Sequence, residues 1–464
     1  MSALEKLPIT TKQELPRRVS VLGLGRTGIA VAEYLGAKGF DVIASDKRSE
    51  VDSEKVASLE AMGVEVTLGE NIIRNDDLVV ISPGIPPHHP LFIEAQEKAS
   101  EVISEPELFA RVFGRPIIAI TGTDGKSTVT TWTAHILQEA GIDTIAGGNL
   151  GNPLITEADR ADLKCAVLEI SAFQLVTTPT LQPAITAITN LADDHLDYFN
   201  GDAKAYEEAK RKLVRLSPIN GCVVRPDDDP VVSQWSLPEG VESLDVSLED
   251  DPQKAGWIQE GVLFVRSQGS ESTAEELLHM NELPLVGSHN VRNALFAALM
   301  AFRAGASKEA VIKGLLSYEA LPHRCAVINR VNGIRFINDS KATTPNATMA
   351  ALKGLDEQLV LIVGGSSKGS DYSELGKMIH QKSKAVVATG DTAQAILDAV
   401  ADEHPQFLEP TLESAINKAY SLSEPGGTVL LSPACASFDS FQSYGHRGEV
   451  YTALVQELKQ RIES

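Results

Sequence analysis

Short apolar runs rich in β-branched residues alternate with helix-like segments along nearly the whole chain, and this alternation constrains the fold most. The stretch RRVSVLGLG predicts a strand and its turn, TGIAVAEYLGAKG predicts a helix, and FDVIASD predicts a second strand. Similar strand patterns recur at RPIIAI, KCAVLEIS, PAITAITN, GIRFINDS, QLVLIVGG and GTVLLSPA. Strands that alternate with helices in this way predict α/β layers with parallel strands.

The length of the chain and the places where successive α/β units begin predict three domains. A chain of 464 residues has room for about three ordinary domains. The first α/β unit runs to about residue 104, the second opens with RPIIAI, and the third opens near ALPHR. We therefore predict domains at residues 1–104, 105–320 and 321–464. The part of the second unit near 220–285 is more polar and gives no clear strand or helix pattern.

Composition excludes several classes of protein. A formal net charge of −22 argues against general binding to nucleic acid or anionic membranes, although it permits a local cationic pocket. The four cysteines are scattered without CxxC spacing, which fits a reducing cytoplasm and gives no zinc or disulfide framework. No signal-peptide core or membrane-length apolar run is visible. We expect a cytoplasmic monomer that binds neither nucleic acid nor membrane.

The first glycine loop, GLGRTG, matches a dinucleotide-binding pattern after a strand and before a helix. Its glycines are Gly23, Gly25 and Gly28, and Asp46 ends the next strand, where a ribose-binding acid is often found. Small residues let a diphosphate approach a helix N-terminus, where backbone N–H groups favour anions. The pattern alone leaves three interpretations open: a nicotinamide cofactor, another nucleotide, or close packing without a ligand. An NAD-dependent dehydrogenase is therefore one hypothesis.

The second glycine loop, TGTDGKST, departs from the usual phosphate-loop spacing. Ile120 stands where the first glycine is expected, and Gly122 follows two residues later. In a phosphate loop, Lys126 would reach the β- and γ-phosphates, and Ser127 would bind Mg²⁺. The alternative is a turn with a solvated lysine. The order of strand, loop and helix favours a triphosphate site.

Further motifs resemble those of the Mur ligases and the related folylpolyglutamate synthases, in the family's order. They are TGTDGKS, LEISAFQL, NLADDHLDYF, AYEEAKRKL, GSHNVRNALFA, LPHR, NDSKATTPNAT and LSPACASFDSF. The NDSKAT and LSPACASFD stretches are similar to the branch that adds D-glutamate. The resemblance implies a Rossmann-like N-terminal domain, a central P-loop-type ATPase domain and a Rossmann-like C-terminal domain. It also implies ATP-driven peptide-bond formation between UDP-N-acetylmuramoyl-L-alanine and D-glutamate through an acyl phosphate.

The resemblance assigns the reacting groups and the cofactors. It makes Lys126, Glu169, His195 and Lys210 the catalytic residues, with ATP as co-substrate and two Mg²⁺ ions. The implied metal ligands are Ser127, Glu169, His195 and a carbamylated Lys210. Carbamylation needs a neutral amine, so the site must lower the pKa of that lysine.

The resemblance also assigns three binding sets. The ATP-binding set is Gly122, Thr123, Asp124, Gly125, Lys126, Ser127, Thr128, Asn290, Asn293, Arg324 and Asp339. The set for the UDP-linked substrate is Gly25, Arg26, Thr27, Asp46, Lys47, Arg48, Ser82, Pro83, Gly84, Asn149, Ser171 and Gln174. The set for D-glutamate is Lys341, Thr343, Lys368, Ser437 and Tyr444.

Three alternatives differ in class or substrate. A folylpolyglutamate-type ligase is disfavoured by the N-terminal GLGRTG domain. A nucleotide-binding regulatory protein without a product is disfavoured by the presence of Glu169, His195 and Lys210. A dehydrogenase is disfavoured because no catalytic pair stands out for a nicotinamide. The role of Asp124, which replaces the asparagine usual in this loop, stays open.

Overall fold

The protein is described from a computed structural model. The structure describes residues 3–75, 77–192, 194, 198–266, 273–285, 287–319, 323–355, 359–367 and 369–463. Over these residues the helices and strands form three separate sheets with their covering helices. No helix within the described ranges is long and apolar enough to cross a membrane.

The N-terminal sheet is parallel and has the strand order β3-β2-β1-β4-β5. Its strands are β1 (Arg18–Leu22), β2 (Asp41–Asp46), β3 (Glu65–Leu68), β4 (Leu78–Ile81) and β5 (Glu101–Ile103). Its helices are α1 (Arg26–Ala37), α2 (Ser53–Ala61), α3 (Pro90–Lys98) and α4 (Glu105–Phe113). The chain leaves β1 towards β2 and later returns to β4 on the other side, so the switch point where ligands bind lies between β1 and β4.

The central sheet has the order β14-β13-β12-β11-β10-β9-β6-β8-β7. Its strands are β6 (Ile117–Thr121), β7 (Thr144–Gly148), β8 (Cys165–Glu169), β9 (Ile185–Ile188), β10 (Cys222–Pro226), β11 (Glu242–Val246), β12 (Gly256–Gln259), β13 (Val262–Arg266) and β14 (Ala274–His279). The accompanying helices are α5 (Lys126–Glu139), α6 (Ala172–Val176), α7 (Ala203–Arg215), α8 (Ser288–Arg303) and α9 (Lys308–Leu316). The polar segment that gave no clear pattern forms β11 to β14, of which β12 to β14 pair antiparallel at the edge of the sheet.

The C-terminal sheet has the order β15-β16-β20-β17-β18-β19, antiparallel between its first two strands and parallel elsewhere. Its strands are β15 (Ala326–Val331), β16 (Ile334–Asn338), β17 (Leu359–Val363), β18 (Ala385–Ala388), β19 (Gln406–Leu408) and β20 (Thr428–Leu431). Its helices are α10 (Pro345–Lys353), α11 (Ser373–Lys382), α12 (Ala393–Leu397), α13 (Leu412–Leu422) and α14 (Tyr444–Glu463).

Apolar side chains on the central parallel strands explain why these segments fold as layers. Strands β6, β8, β9 and β17 are buried along their whole length, as expected for parallel strands covered on both faces. The α/β architecture predicted from the sequence is confirmed.

The chain divides into two compact units. The first holds the N-terminal and central sheets, and the second holds the C-terminal sheet. The predicted three-domain boundaries stay a prediction.

Candidate active site

The central glycine loop joins β6 to α5 and needs glycine at two positions. Gly122 has a φ of 144°, and an added Cβ would come 1.9 Å from Thr189 Oγ1. Gly125 has a φ of 78° and directly precedes α5 as its left-handed N-cap. An added Cβ there would lie 2.7 Å from Asn293 Oδ1. The backbone therefore approaches two neighbouring segments more closely than a residue with a side chain would allow.

Asn190, which follows β9, supports the loop from the neighbouring strand. Its Oδ1 accepts the N–H groups of Thr123 at 3.0 Å and of Asp124 at 2.9 Å. The Thr123 hydroxyl accepts the Ala192 N–H at 3.0 Å. These contacts fix the turn without the first glycine of the usual pattern. The sequence analysis missed Asn190, although an asparagine directly after a buried strand next to the loop was the available signal.

Glu169, at the end of β8, joins two of the predicted site residues. Its side chain is 1% exposed; Oε2 accepts a short hydrogen bond from the Ser127 hydroxyl, and Oε1 accepts the Asn149 amide at 2.7 Å. Ser127 lies in the first turn of α5, whose N-terminus favours negative charge. Hydroxyl and carboxylate oxygens are the ligands that Mg²⁺ prefers, so Ser127 and Glu169 fit one such ion.

Two lysines lie beside the same loop. The Lys126 Nζ donates to the Thr123 carbonyl at 2.7 Å. Lys210 on α7 is 2% exposed, its Nζ donates to the Gly122 carbonyl, and the same nitrogen lies 4.6 Å from the centre of the Tyr206 ring. A lysine in a charged amphipathic helix is usually exposed, so the burial of Lys210 is informative.

Burial lowers the pKa of Lys210 well below its ordinary value, and the positive charge of Lys126 acts in the same direction. The carboxylates of Asp194, Asp124 and Glu169 oppose the shift. A lysine in this environment has a larger neutral fraction than an exposed lysine. Neutral amine is the form that carbamylation requires.

Other predicted residues of the central site form hydrogen bonds with one another. Ser171 and Gln174 form a capping box at the start of α6, with the two side chains 3.0 Å apart. On α8, the Asn293 amide donates to Asn290 Oδ1 at 3.2 Å, and Asn293 also packs against Gly125. Thr128 lies in the first turn of α5. His195 lies outside the described residues.

The N-terminal loop is built around Asp46. Its Oδ2 accepts the Leu24 N–H at 2.7 Å and the Arg48 guanidinium at 2.7 Å, and its Oδ1 accepts the Arg48 N–H at 2.9 Å. The hydrogen bond from the Arg48 side chain lowers the pKa of Asp46 to about 2. Both carboxylate oxygens therefore hold the loop itself, which does not fit the open ribose-binding acid of a dinucleotide site.

The remaining N-terminal candidates lie on or beside the switch point. Arg26 begins α1, and its Nη1 donates to the Gly151 carbonyl at 2.8 Å, beyond β7. Ser82 follows β4 and lies close to Gly23. The other candidates on these loops are Gly25, Thr27, Lys47, Pro83 and Gly84.

In the C-terminal unit, the predicted acceptor residues Lys341 and Thr343 follow β16, Ser437 follows β20, and Tyr444 begins α14. Lys341 lies over the Tyr444 ring, with Nζ 5.6 Å from its centre, and the Lys341 carbonyl accepts the Thr343 N–H at 2.8 Å. Ser437 is buried. Lys368 lies outside the described residues.

Asp339 and Arg324 are the predicted nucleotide-binding residues of the same unit. Asp339 accepts the Ser432 hydroxyl at 2.7 Å and the Cys325 N–H at 3.2 Å. Burial raises its pKa to about 6. Arg324 lies between two residues with positive φ, His323 at 64° and Cys325 at 47°. Within the described part of the chain, no three His, Cys, Asp or Glu side chains group as a metal site.

Comparisons with known proteins match nearly the whole length of the molecule. The Mur ligase MurD-like N-terminal domain matches residues 17–104, the Mur ligase middle domain matches 120–301, and the Mur ligase glutamate ligase domain matches 323–435. The UDP-N-acetylmuramoylalanine–D-glutamate ligase of Koribacter versatilis is 36% identical over 96% of this chain and 98% of its own. The enzyme of the same name from Salinibacter ruber is 33% identical over 97% of this chain and 100% of its own.

Solved structures agree at the level of the fold. UDP-N-acetylmuramate–alanine ligase from Thermotoga maritima aligns with a TM-score of 0.60 at 20% identity, covering 95% of this chain and 100% of its own. A pseudomurein peptide ligase type C from Methanothermus fervidus aligns with a TM-score of 0.59 at 19% identity, covering 96% of this chain and 100% of its own. The predicted three-domain fold class is confirmed. Sequence, fold and the geometry of the central loop agree, and the chain belongs to the Mur ligase family of ATP-dependent ligases.

Proposed function

We propose that this protein adds D-glutamate to UDP-N-acetylmuramoyl-L-alanine, with ATP as the energy source, in the synthesis of peptidoglycan precursors. The observation that carries the proposal is Glu169, which joins the hydroxyl of the phosphate loop to the Asn149 amide beside Lys126. The full-length relatives named UDP-N-acetylmuramoylalanine–D-glutamate ligase support the choice of substrates. We further propose that the protein acts as a cytoplasmic monomer.

The reaction proceeds in two steps. The carboxylate of UDP-N-acetylmuramoyl-L-alanine attacks the γ-phosphorus of ATP, so that an acyl phosphate forms and ADP leaves. The amine of D-glutamate then attacks the acyl carbon, loses a proton, and displaces phosphate as the peptide bond forms. Both steps bring anions together, so cations beside the reacting oxygens lower the barrier.

This chain supplies its own charges for that task. Lys126 and the N-terminus of α5 neutralise the phosphates, and Asn149 positions the substrate beside Glu169. Ser127 and Glu169 would hold one Mg²⁺, which would neutralise phosphate charge. A carbamylated Lys210, with His195, would hold a second. The full ATP, UDP-substrate and D-glutamate sets assigned from the sequence belong to the same proposal.

Phosphate release, measured with UDP-N-acetylmuramoyl-L-alanine and a panel of D- and L-amino acids, tests the assignment. We expect release to need both the sugar nucleotide and D-glutamate. Equal turnover with L-glutamate, or turnover without the sugar nucleotide, would contradict the proposed substrates.

Lys368→Ala should raise the KM for D-glutamate more than the KM for ATP, and the reverse would contradict the role of Lys368.

A further inference from the structure

Arg447, on the first turn of α14, is a buried arginine that the sequence analysis did not single out. Its side chain is 3% exposed. The Nε donates to Ser340 Oγ at 2.9 Å, and Nη2 donates to the Ser340 carbonyl at 2.8 Å and the Cys435 carbonyl at 3.1 Å. The Nη1 donates to the Ala436 carbonyl at 3.2 Å. All four of these acceptor atoms are neutral oxygens.

These contacts join the loops that carry the proposed acceptor residues. Ser340 directly precedes Lys341 after β16, and Ala436 directly precedes Ser437 after β20. A third loop, after β17, passes against the same guanidinium: an added Cβ on Gly365 would lie 3.0 Å from Arg447 Nη1. Arg447 therefore lies where three strand ends of the C-terminal sheet converge.

The loops are also bonded to one another around this arginine. The Ser366 N–H donates to the Ala436 carbonyl at 2.9 Å, and the Ser340 hydroxyl donates to the Tyr444 carbonyl at 2.8 Å. Arg447 completes this network because its planar guanidinium contacts both the Ser340 and the Ala436 segments. Loss of the guanidinium would remove the donor from the buried Ser340 and Cys435 carbonyls, which is unfavourable.

Among the residues that the structure describes, Arg447 forms no direct ion pair, since no carboxylate oxygen lies within 4.0 Å of its nitrogens. Burial lowers the pKa of Arg447 to about 10, and the nearby Asp439 and Asp339 carboxylates act in the opposite direction, so the group stays protonated near neutral pH. A buried cation is costly unless an anion compensates it. A ligand with two carboxylates, bound at the adjoining loops, would supply that compensation.

We propose that Arg447 is a positioning residue for the acceptor amino acid, which holds the Lys341 and Ser437 loops in register and adds positive potential that favours a dicarboxylate. This inference rests on the proposed function, because it takes D-glutamate as the ligand of these loops. It predicts an effect on acceptor binding and none on formation of the acyl phosphate.

The test compares Arg447→Met and Arg447→Lys with Arg335→Met. Arg335 is a matched control: it is also nearly buried, in β16 of the same sheet, and its Nε donates to Thr428 Oγ1 at the opposite end of the strands. We expect Arg447→Met to raise the KM for D-glutamate by about 10- to 100-fold, the range for a lost hydrogen-bonding group that is charged. Arg447→Lys should recover part of this, and Arg335→Met should leave the KM unchanged.

Hydroxylamine separates the acceptor site from the first chemical step. As a small neutral amine without carboxylates, it attacks the acyl phosphate, forms a hydroxamate and displaces phosphate. We expect hydroxamate formation, and the KM for ATP, to be the same in wild type and all three variants. A parallel fall in hydroxamate formation, or a lower kcat with an unchanged KM for D-glutamate, would overturn the role of Arg447.

The wild-type measurements distinguish failure of this inference from failure of the proposed function. A wild-type protein that forms hydroxamate but does not use D-glutamate refutes the proposed acceptor. The KM comparison is then made with the amino acid that the wild-type protein does use. An unchanged KM in Arg447→Met for that amino acid overturns the inference on its own.

Discussion

The two glycine loops of the first unit share a backbone design and differ in what surrounds them. Each follows a parallel strand and precedes a helix, β1 and α1 in one case and β6 and α5 in the other. Each includes a glycine whose added Cβ would come 1.9 Å from a neighbouring atom: Gly28 against the Gly23 carbonyl, and Gly122 against Thr189 Oγ1. Backbone geometry alone therefore predicts an anion-binding turn at both places.

The neighbouring strand ends distinguish the two sites. Beside the first loop, the Asp46 carboxylate accepts hydrogen bonds from the Leu24 N–H and the Arg48 guanidinium, so the acid stabilises the protein's own turn. Beside the second loop, Glu169 holds Ser127 and Asn149, which are a predicted metal ligand and a predicted substrate contact. A glycine pattern thus indicates where an anion binds, and the ends of adjacent strands indicate what chemistry follows.

Lys126→Ala should produce the largest difference between the two loops. Loss of its charge beside the phosphates should lower kcat by on the order of a thousandfold, as for other groups that stabilise a charged transition state. Arg26→Ala, at the equivalent helix start of the first loop, should mainly raise the KM for the UDP-linked substrate. Steady-state phosphate release gives both constants. Equal losses of kcat in the two variants would contradict the division of roles.

Lys210 tests whether the second loop carries a modified side chain. Lys210→Ala should lower activity by on the order of a hundredfold, because it removes a charged group from the reaction centre. Short carboxylic acids in the buffer should restore part of the activity by filling the vacated ligand position. Lys210→Arg keeps a positive charge, cannot form the carbamate, and should stay inactive.

Lys212→Ala is the matched control for Lys210, since it lies on the same helix and donates to the Val176 carbonyl at 3.1 Å. It should keep most of the activity and show no response to added acids. Normal turnover by Lys210→Arg, or a bare amine with metal bound at high resolution, would refute the carbamate.

The α/β fold and the central glycine loop could be predicted from the sequence because their signals are local. Buried apolar strands and the glycine loop lie in short motifs with a physical reason for each residue type, whereas Glu169 was predicted through the resemblance to the Mur ligases. The burial of Lys210 could not be predicted from the residues alone, since a charged amphipathic helix normally exposes its lysines and only tertiary packing buries this one.

Asn190 and Arg447 were missed for a related reason. Each forms its contacts across loops that are far apart in sequence. Asn190 had one local signal, its place after a buried strand, and Arg447 had none. The segment that forms β11 to β14 gave no clear strand pattern in the sequence, because its partly exposed strands mix polar and apolar residues.

Two glycine-to-alanine substitutions compare the backbones of the two loops. Gly122→Ala should lower kcat by about tenfold or more, because the added Cβ meets Thr189 and strain at a single backbone position costs on the order of 1–3 kcal/mol. Gly25→Ala should cost less than about twofold in kcat, since no atom lies within 4 Å of an added Cβ there. Thermal melting separates misfolding from catalytic loss. A loss of kcat at Gly25 as large as that at Gly122 would contradict this comparison, whereas close approach of the UDP-linked substrate to Gly25 predicts an effect on its KM.

Asp46→Asn tests whether the acid of the first loop is structural. The folded protein holds the pKa of Asp46 at about 2, below the value of about 3.9 for an unperturbed aspartate. Its ionised form therefore stabilises the fold above pH ~4, and this contribution is lost as the pH falls through about 2. Because the Arg48 side chain is 55% exposed, we expect a loss of only about 1 kcal/mol at pH 7.

The urea midpoint of Asp46→Asn should lie below that of wild type at pH 7, and the gap between the two midpoints should narrow at pH 3. Glu50→Gln, an exposed acid in the loop after β2, should show no gap at either pH. A gap for Asp46→Asn that stays constant between pH 7 and pH 3 would show that the amide disrupts packing, and that the ionised carboxylate does not hold the loop.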